Sequence, residues 1–142
     1  MDSAWARQEM QGARVFDGRR ITSLTTICEK LVMNTGVSFS AALGPASRQA
    51  AHRIFEHPMI TPAGLLQGHL AETVRRCRAH PLVLVAQDTT AFDFSSHPAT
   101  RGLGPTNDAP TGWGLFAHSA LALTPEGQPL GLLHLDLWAR DP

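Results

Sequence analysis

At 142 residues the chain has the length of one ordinary domain or of two very small ones. Apolar residues make up 43%, enough for a core, and charged residues 17%, too few for a disordered polyelectrolyte. Twelve basic and twelve acidic side chains cancel, so net charge alone gives no reason to expect a nucleic-acid partner. The balance hides a split: residues 1–80 hold ten basic against six acidic side chains, and residues 81–142 two against six. Eleven of the twelve basic residues are Arg, whose planar fork suits bidentate phosphate contact. No apolar run approaches the roughly eighteen residues needed to span a bilayer. The N-terminus, Met1-Asp2-Ser3-Ala4-Trp5-Ala6-Arg7, lacks the apolar stretch of a signal peptide. Cys28 and Cys77 read as small buried apolar residues of a reducing cytoplasm rather than as a disulfide. The expectation is a soluble cytoplasmic protein with no membrane partner.

The first half reads as helices. Trp5, Gln8, Glu9 and Met10 suggest a short opening helix. Asp17 can cap a second, with Gly18-Arg19-Arg20 in its first turn and Ile21, Leu24, Cys28, Leu31 and Val32 on one face. Asn34-Thr35-Gly36 should end it, since Asn and Gly tolerate left-handed backbone. A Ser-rich loop through Ser38 and Ser40 leads to Gly44-Pro45. Pro45 then starts a third helix with Ala50, Ala51, Ile54 and Phe55 facing inward. Thr61-Pro62 caps a fourth, whose apolar stripe is Leu65, Leu66, His69, Leu70, Thr73 and Val74. Its last turn carries Arg75, Arg76 and Arg78, read equally well as dipole partners or as DNA contacts.

The pattern changes at Pro81. Leu82-Val83-Leu84-Val85-Ala86 is a short apolar run that reads as a buried strand ending at Gln87-Asp88. A Pro/Gly/Ser-rich stretch follows, from Ser95 to Pro110. Two further apolar runs, Trp113–Leu123 and Pro129–Trp138, are joined by Thr124-Pro125-Glu126-Gly127-Gln128 and make a β-hairpin. The order is helices first, then three strands, with no helix expected to cover the sheet.

Three groups of residues carry candidate chemistry. Asp88, at the expected strand end, would hold its backbone in the sheet and offer its oxygens to a hard cation; the plainer reading is a turn Asp bonded to Thr89 or Thr90. Asp93 lies five residues on and reads as a solvated loop acid. His134 and Asp136 share a strand face, and with His118 on the partner strand they form a conceivable metal site, although histidines in such places are more often hydrogen-bonded within the sheet. The third group is basic. Arg19 and Arg20 sit in the first turn of a helix, where side chains and amides together can meet phosphate, with Arg14, Lys30, Arg48 and Arg53 nearby. A solvated helix face explains these residues equally well. No Gly-rich phosphate loop, nucleophile elbow or zinc-finger spacing is present.

The order of the motifs is more specific than any one of them. Asp17-Gly18-Arg19-Arg20 is followed by Ala51-His52-Arg53-Ile54-Phe55 and His57-Pro58-Met59-Ile60-Thr61. Then come Val85-Ala86-Gln87-Asp88-Thr89-Thr90, Gly102-Leu103-Gly104, Gly112-Trp113 with His118-Ser119, Pro129-Leu130-Gly131-Leu132-Leu133 and Trp138-Ala139-Arg140. Across nearly the whole chain this series resembles the N-terminal part of bacterial cut-and-paste DDE transposases of the transposon-five type, within the insertion-sequence-four family. The resemblance implies an α+β chain. Residues 1–75 would be a helical DNA-binding domain for transposon ends. Residues 76–142 would be the first three strands, a strand plus an antiparallel hairpin, of an incomplete RNase H-like core.

It also implies roles. Asp88 matches the first catalytic, metal-holding aspartate. Arg20 matches a basic position of the end-binding helix, and Arg19, Lys30, Arg48 and Arg53 are the accompanying DNA candidates. Ser23 stands where the family often has a further Arg. In the family, three carboxylates hold two Mg2+ or Mn2+ ions that activate water or a 3′-hydroxyl for attack on a phosphodiester. The second Asp and the Glu lie beyond Arg140 in family members. The expectation is therefore a truncated or frameshifted transposase, inactive alone and unable to hold the metal pair stably. Its partners would be transposon-end double-stranded DNA and full-length transposase subunits. The competing readings are a non-catalytic DNA-binding regulator of transposition and a metal module on His118, His134 and Asp136.

Overall fold

Local signals in the helical half decide where the chain turns, and a computed structural model of residues 4–106 and 112–141 follows most of them. Residues 1–3 of the N-terminal segment and residues 107–111 of the Pro/Gly-rich stretch lie outside the described residues. The chain runs α1 (Ala4–Met10), α2 (Gly18–Met33), α3 (Phe39–Phe55), α4 (Pro62–Cys77), β1 (Leu84–Asp93), β2 (Gly104–Pro105), β3 (Trp113–Leu123) and β4 (Pro129–Trp138). This is an α+β order with one antiparallel sheet. Two compact units result, residues 1–72 and 73–142, and the division falls inside α4.

In the first unit, the Asp17 side chain accepts from the Arg19 amide at 2.8 Å and caps α2 as expected. The helix ends at Asn34, whose amide bonds to Lys30 O, and Gly36 follows at φ 87°. The expected Ser-rich loop is instead helical. Ser38 accepts from the Ala41 amide and starts α3 six residues before Gly44. Gly44, at φ 69° and ψ 173°, breaks the helix there, and Pro45 restarts it, so the proline start is retained after a kink. Thr61 Oγ1 accepts from the Gly64 amide at 3.1 Å and opens α4.

The core joins Ala13, Val15, Leu24, Ile27, Leu43, Ala51 and Ile54, with Met10, Ile21, Leu31, Ile60 and Leu65 packed around them. Three residues expected on the apolar helix faces are exposed, Val32 at 48%, Phe55 at 53% and Val74 at 40%, while Ile27 takes the buried place on α2. The helix period had placed Val32 one position too far round. Gly68 of α4 lies against the end of α1, and a Cβ there would come within 2.5 Å of the Glu9 carbonyl oxygen. Glycine permits that close approach. His69 Nδ1 lies 2.7 Å from Glu9 Oε2, and Gln8 donates to Glu72 at 2.8 Å, tying the same pair of helices.

The second unit departs further from expectation. Its sheet has four strands rather than three, because Gly104–Pro105 pairs with Trp113 and Gly114. β3 is central: β1 runs along one side of it, and β4, with β2 beyond, along the other. The hairpin turn is as expected, with Gly127 at φ 85° and Thr124 N bonded to Gln128 O at 2.9 Å. β1 is not the buried strand expected. It starts at Leu84, runs ten residues, and is exposed along its whole length. Its buried side chains are mostly small, Ala117, Ala120, Ala122, Thr73, Thr106 and Thr124, with Phe116 the large one among them. The last turn of α4 belongs to this unit. Arg76 Nε donates to Leu130 O at 2.5 Å and its Nη2 to Thr73 Oγ1 at 3.1 Å, so this arginine anchors the start of β4.

Candidate functional site

The basic residues of the first unit are divided among several places once the helices are packed, and three of them come together. The first turn of α2 and the last turn of α3 form a cleft of about 500 Å³ lined by Arg19, Arg20, Ser23, Arg53, Glu56 and His57. Arg19 and Arg53 are exposed, while half-buried Arg20 donates from Nη1 to Val15 O at 3.0 Å. Thirty-odd residues of sequence therefore separate side chains that share one concavity. Three guanidinium groups around such a cleft, two of them at the positive, N-terminal end of α2, suit the neutralisation of phosphate oxygens. Glu56 places one carboxylate at the rim, 3.9 Å from His52 Nδ1.

Two of the expected DNA residues lie elsewhere. Lys30 is turned into the α2–α3 junction, where its Nζ donates to Leu43 O at 3.0 Å and Ser47 Oγ at 2.8 Å. Those bonds give it a helix-joining role. Arg48 donates to Ser40 Oγ at 2.7 Å and lines a separate shallow site with Pro45, Gln49 and His52. Arg14 lines a third cleft, of about 410 Å³, with Phe16, Met59 and Gln67. The unit as bounded holds seven basic and six acidic side chains, because Arg75, Arg76 and Arg78 fall in the other unit. Local gathering of arginines, rather than the charge of a whole half, marks the basic surface.

In the sheet, Asp88 stands in the middle of β1 rather than at its end, directly opposite Ser119, which in turn opposes Leu135 on β4. Paired residues of antiparallel strands project to the same face. His118 pairs with Thr89 and with Asp136, so His118, Asp136 and His134 occupy the other face of the sheet from Asp88. The His118 ring is engaged within the sheet: Nδ1 lies 2.8 Å from Thr89 Oγ1 and Nε2 3.3 Å from Gln87 Oε1. Asp93 also faces away from Asp88. Its carboxylate accepts from the Ser95 hydroxyl and from the Ser95 amide, and these bonds hold its pKa below the usual carboxylate value.

Among the described residues no three His, Cys, Asp or Glu side chains converge on a metal site. The donor set around Asp88, one carboxylate opposite one hydroxyl, does not fit a pair of divalent cations. Cys28 and Cys77 are free and half-buried, and burial pushes the Cys28 thiol up, with Glu29 and Glu9 adding to the shift. No described helix is long and apolar enough to cross a membrane.

Phe16, which no sequence motif singled out, stacks with His57 of the His57–Thr61 motif, with ring centroids 6.1 Å apart and planes at 22°. The available signal was an aromatic residue directly before a capping Asp and two arginines.

Residues 2–60, which include α1 to α3 and all the residues of the Arg19–Arg20–Arg53 cleft, match the family model described as transposase DNA-binding. That match supports a transposase N-terminal region over those residues. No curated protein matches the chain.

Proposed function

We propose that the chain binds DNA through its helical unit as the end-recognition part of a cut-and-paste transposase, of the DDE, insertion-sequence-four and transposon-five type. The observation that carries this reading is the cleft uniting Arg19, Arg20 and Arg53, within a segment that matches transposase DNA-binding. Arg20 is held by Val15 O, so part of its orientation is set before any phosphate arrives. Arg19 and Arg53 extend the positive surface on either helix. Phosphate contacts of this kind fix the register of a protein on duplex DNA and make its affinity salt-dependent.

The sheet unit is read as the opening strands of an RNase H-like core. Support comes from the antiparallel β1, β3 and β4 arrangement and from Asp88 in Gln87-Asp88-Thr89-Thr90. In this reading Asp88 is the first of several carboxylates that would share Mg2+ or Mn2+. Because, among the described residues, its sheet face offers no second carboxylate, the chain by itself binds DNA without cutting it. The same isolation of Asp88 favours a second reading, a non-catalytic regulator that occupies transposon ends or mixes with catalytic transposase subunits.

Selection of a preferred duplex by the purified chain, from a library randomised in its centre, tests the binding. Enrichment of one sequence, with affinity falling as salt rises, is expected. Absence of binding to any duplex at low salt would overturn it. With magnesium or manganese added the selected duplex should remain uncut, and nicking would overturn the non-catalytic part.

A further inference from the structure

Phosphate contacts hold DNA without reading it, and the direct way for a unit to recognise particular ends is a contact to bases. The inference below rests on the DNA-binding reading and supplies that contact. Among the described residues, Phe16 is the one non-glycine with positive φ, at 59°. Left-handed backbone is unfavourable for a bulky side chain and persists where the surroundings enforce it, most often at functional positions. Phe16 gains little burial in return, being 62% exposed. The His57 ring stacks beside it, with centroids 6.1 Å apart and planes at 22°. Phe16 and Met59, itself 65% exposed, line the cleft that contains Arg14, while His57 lines the cleft that contains Arg19, Arg20 and Arg53. The aromatic pair thus stands between Arg14 on one side and Arg19, Arg20 and Arg53 on the other, within the surface read as phosphate-binding.

We propose that Phe16, backed by His57 and flanked by Met59, is the specificity-determining contact of the helical unit and meets the C5 methyl group of a thymine. Apolar contact with that methyl is a direct readout of sequence in the major groove. With the His57 ring stacked beside it and Met59 lining the same cleft, the exposed Phe16 ring is an apolar patch at the protein surface rather than a free wedge. That suits a methyl group better than insertion between two stacked bases. The arginines on both sides hold the flanking phosphates and set the depth at which the ring arrives.

Phe16→Gly is the informative variant, since glycine adopts a φ of 59° without strain and the fold is retained. The full chain first selects its preferred duplex from the randomised library. Affinity is then measured by fluorescence anisotropy on that duplex and on copies in which each thymine in turn becomes deoxyuridine. The variant should keep or raise its Tm and lose about tenfold in affinity. Its salt slope should be unchanged, because no phosphate contact is removed. One deoxyuridine replacement should weaken wild type several-fold and have no further effect on Phe16→Gly. Undiminished affinity of the variant, or a uracil effect equal in both proteins, overturns the proposal and leaves DNA binding standing. Loss of affinity in Phe16→Gly without any thymine sensitivity in wild type overturns the methyl contact. Failure of wild type to bind any duplex removes the DNA-binding reading and this inference with it.

Discussion

The helical unit and the sheet unit use similar amino acids and bury them to different depths. Leu43, Ile54 and Val15 are each 1% exposed, and the helices around them bring Arg19, Arg20 and Arg53 to one cleft. In the sheet unit the buried positions are mostly alanines and threonines, while Leu84, Val85 and Phe92 of β1 are 45–46% exposed. Depth of burial and completeness of the site go together. The unit that closes its own core assembles a many-residue surface, whereas the sheet holds Asp88 firmly in register and, among the described residues, gives it no companion acid. An exposed, apolar edge strand is also a place where sheets pair wrongly.

The largest effect expected from this contrast is on the helical core. Leu43→Ala should cost about 3 kcal/mol, because it opens a cavity among close-packed neighbours. Urea unfolding followed by circular dichroism would measure it, and a cost below about 1 kcal/mol would mean that this core collapses easily and the contrast is overstated. The two cysteines sharpen the comparison, since Cys28 lies in one unit and Cys77 in the other. Thiol alkylation read by mass spectrometry at rising urea should reach Cys77 before Cys28. Burial keeps the Cys28 thiol protonated to higher pH than usual, so in the folded chain its reaction should be slow at neutral pH. Simultaneous labelling would make the two units a single cooperative one.

A smaller effect separates structural from DNA-facing cations. Lys30→Met removes the bonds to Leu43 O and Ser47 Oγ and should cost about 1–2 kcal/mol. DNA affinity and its salt slope should stay as in wild type. A shallower slope would return Lys30 to the DNA surface.

Sequence made the helix ends legible because single residues decide them: Asp17, Asn34, Thr61 and the Pro45 restart each satisfy or release backbone groups locally. The hairpin was legible for the same reason, through Gly127. What escaped depends on distant partners. Nothing near Gly104–Pro105 says that it pairs with Trp113, and the alternation of β1 does not reveal that it carries on to Asp93 and leaves Asp88 in mid-strand. Arg19, Arg20 and Arg53 were recognisable as candidates from type and place. Their gathering, and the diversion of Lys30 and Arg48, needed the packing of α2 on α3. The division of charge between halves was misleading because the arginines ending α4 belong with the sheet, where Arg76 holds Leu130.

The central claim is that DNA is held by the arginine cleft of the helical unit and not by the sheet. The measurement that tests it most directly is the slope of log affinity against log salt, on the duplex selected by wild type, for Arg19→Gln/Arg53→Gln and for Asp88→Asn. Each lost phosphate contact lowers that slope by about one, so the double arginine variant should bind more weakly with a slope shallower by about two. Asp88→Asn should keep the wild-type slope and bind equally or slightly more tightly. An unchanged slope in the arginine variant, or weakened binding on loss of Asp88, would contradict the account.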